Sequence, residues 1–413
     1  MLSKENPLLL NIKLPTIANK SGRLLGEEEL QQLREVIESG TLAYIYGTKV
    51  YTFEKEFATL FGVKHAFAVS SGTAALHTAM IYLNPEPGDE IIISPITDMG
   101  SVIPILYQQA IPVFADIDPA TQNLDPASIE ENISDRTRAI MVTHIHGIPA
   151  NMDAIMEIAK RHNLLVIEDC AQAHMSKYHG KIVGTIGEVG CFSFQQSKHI
   201  TTGDGGMVIS NGDMKFGRSL RHCFDKGWPR DKPERDHYFL APNYHMTELQ
   251  AAVGIAQIRK YPESVEARKK SGKALTKHLR ESDLITLLTT LPDTISTFFS
   301  FSFLINLERL DVTADVIVKE LCRQGLKCEL GYPGPIPLYL YPVIREKKTF
   351  GSSGLPFTSP YARKEWSYEP GLCPKAEKAC RETIVLPWNE RITQQHVDII
   401  ADTIIAVLFQ HRR

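Results

Sequence analysis

The 413-residue sequence predicts an α/β protein with a mainly parallel central sheet flanked by helices, followed by a smaller C-terminal α+β domain. Three observations carry this. Short apolar runs at "AFAV" (66–69), "EIIIS" (90–94), "IPVFADI" (111–117), "AIMVTH" (139–144), "LLVIED" (164–169), "CFSF" (191–194) and "GMVIS" (206–210) alternate with helix-length segments. Such alternation builds βαβ units and a parallel sheet. After about residue 270 the rhythm changes to helices and strands at wider spacing. The length itself exceeds what one small core holds. We therefore expect a large domain over 1–270, including the N-terminal arm and helices, and a small domain over 271–413.

The elements follow in order. "GEEELQQLREVIESG" (26–40) reads as a helix, with Glu27 to Glu29 in its first turn and Gly40 as its stop. "VYTFEKEFATLFG" (50–62) reads as a second amphipathic helix. The strands and helices of the alternating region come next. "HMTELQAAVGIAQIRKY" (245–261) reads as a long helix that closes the first region. The stretch from Lys347 to Gly371 is rich in Gly, Ser, Pro and aromatics and reads as a long loop. It is either a surface segment or a lid over a polar substrate.

Composition excludes several classes. The formal net charge of -3 offers no basic surface to nucleic acid or acidic lipid. No uncharged apolar run reaches the roughly 18 residues of a membrane span. "PLLLNIKLP" (7–15) lacks a cationic start and a small-residue cleavage site, so no signal peptide is expected. Seven scattered cysteines without a Cys-x-x-Cys pair fit a reducing cytoplasm and argue against a disulfide framework or a zinc site.

Three groups of residues could carry chemistry. In "AFAVSSGTAALHTAM" (66–80), Ser70, Ser71, Gly72 and Thr73 fall where a strand turns into a helix. Unpaired N–H groups there suit a phosphate, although Ser and Thr also cap helices for structural reasons. The segment is not a GxxxxGK[ST] phosphate loop, so no nucleotide triphosphate is indicated. Glu168 and Asp169 end a buried strand, and carboxylates at that end of a parallel strand face the ligand crevice. Either acid alone could instead tie down a loop. Lys198 follows a core strand, precedes "GDGG" and has no helix-spaced acid partner. An amine that attacks a carbonyl must be neutral part of the time, and burial away from anions favours that. A phosphate turn, an acid to hold a proton on a ring nitrogen and an isolated lysine together describe pyridoxal 5'-phosphate.

The motifs "SSGTAAL", "EDCAQAH", "CFSFQQSKHITTGDGG" and "NYHMTELQAA" closely resemble the DegT/DnrJ/EryC1/StrS aminotransferases, which act on sugars and aminocyclitols and have the fold-type I pyridoxal phosphate architecture. The resemblance runs from about Ser39 to "ETIVLPWNERIT" (382–393). It implies that Lys198 bonds covalently to the cofactor aldehyde and that Asp169 partners the pyridine nitrogen. It implies that Gln172 lies near the phenolic oxygen. Gly72, Thr73 and Ser193 would hold the phosphate, and Asn243 would reach it from the neighbouring subunit of a homodimer. By its local sequence alone, Asn243, His245 or Thr247 could instead cap the following helix. "FQQSK" (194–198) is most similar to inosose aminotransferases.

Two positions depart from the family pattern. "PITDMG" (95–100) puts Asp98 or Met99 where many relatives have an aromatic that stacks on the ring. Tyr339 stands in "PLY" where relatives often have histidine, so the usual substrate contact there does not carry over. Dehydratase-like relatives replace the reactive lysine by histidine; this chain keeps Lys198, followed by His199. The expected activity is transfer of an amino group from L-glutamate or L-glutamine to a keto sugar or keto cyclitol, by a ping-pong mechanism. The rivals are another pyridoxal phosphate reaction (lyase, epimerase or dehydratase) and a non-catalytic sensor or scaffold that retains the fold.

Overall fold

The computed structural model describes residues 13–212, 220–230, 232–362 and 365–413. Residues 7–12 of the apolar N-terminal stretch, and 363–364 of the long loop, lie outside the described residues.

All seven apolar runs are strands of one sheet, in the order 65–69, 206–210, 189–193, 165–169, 137–143, 90–93, 111–114. Five neighbours from 189–193 to 111–114 are parallel. Gly206–Ser210 runs antiparallel to both of its neighbours. The central strands are buried along almost their whole length, which explains their continuous rather than alternating hydrophobicity. Helices such as Gly72–Leu83 and Met152–His162 connect the parallel strands.

The first two helices run over Glu27–Ser39 and Lys49–Phe61, each ended by a glycine in the left-handed region, Gly40 and Gly62. The helix expected over 245–261 extends to Glu248–Leu279, straight through Pro262. Its buried face continues beyond the proline as Val265, Arg268, Ser271, Gly272, Leu275 and Leu279. Packing along that face outweighs the one backbone hydrogen bond that the proline removes. The expected boundary between residues 270 and 271 thus falls inside this helix.

A second sheet orders the strands 285–287, 300–305, 383–387 and 329–330, all antiparallel. Its core gathers Phe301, Phe303, Ile317, Leu321, Ile384, Leu386, Trp388 and Ile404 around the end of the long helix at Leu275 and Leu279. The long loop is not a surface segment throughout. Phe357, Trp366 and Tyr368 are buried in the first core, and the Tyr368 hydroxyl donates to the Pro112 carbonyl at 2.8 Å. The loop is a strap along the edge strand Ile111–Phe114. Among the described residues, no helix is long and apolar enough to cross a membrane.

Phe303 is fully buried on the second strand of the small sheet. Phe303→Ala is expected to remove about 3–5 kcal/mol of stability, read as a shift in urea unfolding followed by Trp388 fluorescence. A loss below about 1 kcal/mol would contradict the packing described.

Candidate active site

The strand Leu165–Asp169 ends with two carboxylates, and successive side chains on a strand point to opposite faces. This alternation separates their roles. Glu168 accepts hydrogen bonds from the N–H groups of Gly184 (2.7 Å), Ile186 (2.8 Å) and Gly187 (2.6 Å). His144 Nε2 donates to it at 3.1 Å, because His144 Nδ1 is occupied by the Ala150 N–H. Glu168 is therefore the acid that ties down a loop. Cys170 lies close enough to complete a metal-ligand geometry with these two, but the hydrogen bonds just named already engage the other two side chains.

Asp169 points the other way, towards the C-terminal edge of the sheet. Its Oδ2 accepts from Ser101 Oγ at 2.7 Å and its Oδ1 from the Ala171 N–H at 3.0 Å. Ser101 is held by Thr97, and Thr97 by Thr143, each at 2.9 Å. Burial raises the Asp169 pKa; the Ser101 and Ala171 hydrogen bonds and the charge of Lys198 pull it back down.

Lys198 lies on the turn that follows the strand Val189–Ser193. Its Nζ sits 4.4 Å from the centre of the Phe299 ring, and among the described residues no carboxylate forms an ion pair with it. Burial lowers its pKa below the ordinary lysine value, while Asp169 and then Asp98 raise it. The amine is thus near two carboxylates in electrostatic reach and bonded to neither. Arg23 Nη1 donates to the Lys198 carbonyl at 2.7 Å.

The turn before the helix Gly72–Leu83 divides its labour too. Ser71 is the cap, its hydroxyl accepting from the Ala74 N–H at 3.0 Å, so for this residue the capping role holds. The Ser70 N–H is taken by the Tyr244 carbonyl at 2.9 Å. Gly72 and Thr73 supply first-turn N–H groups that an α-helix leaves unpaired. A Cβ on Gly72 would lie 2.6 Å from the Ser193 Cβ and 3.0 Å from its Oγ, so only glycine lets the turn and the Ser193 hydroxyl share one cradle. A Cβ on Gly100 would come within 2.6 Å of Thr73 Oγ1. This cradle of N–H and hydroxyl groups fits a phosphate.

Gln172 Oε1 accepts from the His146 N–H at 3.0 Å, and Gln172 helps to lower a Tyr332 pKa that burial raises. Asp98 caps the helix Met99–Tyr107 through the Gly100 N–H at 2.8 Å, and its carboxylate reaches Lys198, Asp169 and Tyr332 electrostatically. Met99 is half-buried. Tyr339 is buried, its hydroxyl donating to Glu377 at 2.6 Å and accepting from the Cys373 N–H; it serves the core.

Asn243 does not cap a helix. Thr247 does, in a reciprocal box with Gln250. The Asn243 side chain is exposed and accepts from the His245 N–H at 3.2 Å. Its segment is anchored by Asp225, which takes hydrogen bonds from Tyr44 and Arg230 and pairs with His245.

Ser101, Arg23, Phe299 and Tyr332 were not foreseen. Ser101 had a signal: it lies three residues after the acid Asp98 that opens its helix. The other three come from segments distant in sequence, and nothing local marks them. Loss of the Ser101 donor removes a bond that favours the charged carboxylate, so Ser101→Ala is expected to raise the pH at which Asp169 takes up a proton. Carboxyl infrared spectra, with Asp169→Asn as the blank, check this; an unmoved titration would contradict it.

The sequence profile of the DegT/DnrJ/EryC1/StrS aminotransferase family matches residues 23–365. The chain is 37% identical to GDP-perosamine synthase of Caulobacter vibrioides over 76% of its own length and 84% of that protein. It is 40% identical to a protein of Streptoalloteichus tenebrarius described as a putative L-glutamine:3-amino-2,3-dideoxy-scyllo-inosose aminotransferase, over 62% of each. A solved aminotransferase from Psychrobacter cryohalolentis superposes with a TM-score of 0.84 at 28% identity, covering 94% of this chain and 98% of that one. With a family match across most of its length, the chain belongs to the DegT/DnrJ/EryC1/StrS aminotransferases.

Proposed function

We propose that the protein uses pyridoxal 5'-phosphate to move an amino group from L-glutamate or L-glutamine to a keto sugar or keto cyclitol, in two half-reactions. The observation that carries this is the pairing of Asp169 and Lys198 at one crevice, a buried carboxylate and an unbonded amine whose pKa is lowered. The similarity to a sugar-modifying and a cyclitol-modifying relative supports the acceptor class. The large domain over 1–270 and the small domain over 271–413 remain our working division.

When bound, the cofactor supplies an aldehyde for the amine and an electron sink for the carbon next to it. The chain's own residues do the rest. The Gly72 and Thr73 N–H groups and the Ser193 hydroxyl would bind the phosphate. Asp169 would hold a proton on the ring nitrogen by charge pairing, and Gln172 would orient the phenolic oxygen. The Lys198 amine would hold the aldehyde and, when free, would serve as the base that moves the proton of the donor's α-carbon. The same residues would serve the keto acceptor in the second half-reaction.

The direct test is borohydride reduction of the pyridoxal phosphate-loaded protein. Label is expected on the peptide containing Lys198, and Lys198→Ala is expected to stay folded without turnover. Label on another lysine would remove the assignment. Asp169→Asn keeps the shape and loses the charge, so turnover with the best keto acceptor is expected to fall at least a hundredfold, roughly 3 kcal/mol of barrier. An unchanged rate at neutral pH would count against it.

A shared dimeric site is part of the same proposal. Asn243 would donate to the phosphate across a two-fold interface, which its exposed side chain leaves possible. Dimers mixed from Lys198→Ala and Asn243→Ala chains then hold one native site and one doubly altered site. At limiting cofactor, subunit exchange is expected to raise activity above the sum of the separate variants. No gain after verified exchange would mean that Asn243 serves its own chain.

A further inference from the structure

Arg23 and Arg268 are fully buried, and both approach one carboxylate, that of Glu390. Arg268 donates to Glu390 Oε2 from Nε at 3.2 Å and Nη2 at 3.0 Å, and from Nη1 to the Trp388 carbonyl at 2.7 Å. Its Nη1 also reaches the carbonyls of Phe298 (3.4 Å) and Phe299 (3.5 Å). Arg23 Nη1 lies 3.6 Å from Glu390 Oε2, while its bond to the Lys198 carbonyl is the shorter contact, 2.7 Å. Among the described residues, Arg23 Nε and Nη2 are buried with no hydrogen-bond partner. Burying a guanidinium with two unmet donors is unfavourable, so a fold that keeps one there has a use for the donors that are met.

These contacts close a circuit. It runs from the Lys198 carbonyl through Arg23, Glu390 and Arg268 to the Phe299 backbone, and the Phe299 ring lies beneath the Lys198 amine. One end of residue 198 is gripped by Arg23. The other end rests on a ring whose own backbone is held by the same network. We propose that Arg23 is a positioning residue for Lys198, fixing the turn so that the amine is aimed at the bound aldehyde, with Glu390 and Arg268 bracing it from the C-terminal segment and the long helix. The inference rests on the reading of Lys198 as the residue that bonds to the cofactor.

The test uses the full-length apo-protein and two probes. Pyridoxal 5'-phosphate can bond to Lys198; 4'-deoxypyridoxine phosphate fills the same site but lacks the aldehyde. Arg23→Met removes the donor and keeps most of the volume. Formation of the covalent link, followed by visible absorbance, is expected to weaken about tenfold or more, while calorimetric affinity for the deoxy probe is unchanged. Arg23→Lys, which restores a cation beside Glu390, is expected to recover part of the loss. If Arg23→Met does not fold, Glu390→Gln is expected to act in the same direction by a smaller factor. An unchanged link, or an equal loss for both probes, would overturn the proposal; the second result would mark Arg23 as merely structural. No link at Lys198 in the parent protein would instead remove the underlying reading, and this inference with it.

Discussion

An amine that must attack a carbonyl has to be kept both from water and from any acceptor that would hold its proton. The site is arranged around that constraint. Burial lowers the Lys198 pKa, yet the function proposed above also calls for an anion, Asp169, to keep a ring nitrogen protonated. The conflict is resolved by hydrogen bonding. Asp169 is turned towards Ser101 and the Ala171 N–H, so its charge is felt by Lys198 through space without a direct bond. The Phe299 ring beneath the amine offers a cation some stabilisation but no proton acceptor.

The parallel sheet delivers these parts to one place. Thr143 and Asp169 end neighbouring strands in register, and the next strand runs two residues further, from Cys191 beside Asp169 to Ser193, so residues just beyond them open onto a common edge. Glu168, one residue from Asp169, works on the opposite face and fixes the 184–187 turn. The one antiparallel strand of this sheet, Gly206–Ser210, passes close to the turn at residues 70–73: a Cβ on Gly206 would lie 2.3 Å from the Ser71 carbonyl oxygen. The segments beyond residue 271 approach Lys198 and its neighbours through Phe299, Tyr332 and the Glu390 network.

Much of this was legible in the sequence. Seven strands announced themselves by buried apolar runs, because a strand covered on both faces carries its whole signal locally. The candidate residues Gly72, Thr73, Asp169 and Lys198 stood out for a related reason: Asp169 ends such a strand, and the others lie in the turns that follow one. Other features depend on distant partners. Nothing near Glu168 shows that three N–H groups will converge on it, although strand alternation separates it from Asp169. The helix through Pro262 was misjudged because a proline is a strong local signal, while the face that overrides it runs on to Leu279. Arg23 looks like an ordinary arginine in an irregular segment; only the fold brings it 175 positions along the chain to Lys198. Nor does composition show that Tyr339 and, in the loop, Trp366 will be buried.

The account stands on the state of one amine. Trace acetylation of the apo-protein across pH, read peptide by peptide, measures how readily each lysine gives up its proton. Lys198 is expected to become reactive at clearly lower pH than exposed lysines such as Lys319, and Asp98→Asn is expected to move it lower still, since that carboxylate raises its pKa. A Lys198 that titrates with or above the exposed lysines would contradict the claim that desolvation, held apart from its neighbouring carboxylates, prepares it for chemistry.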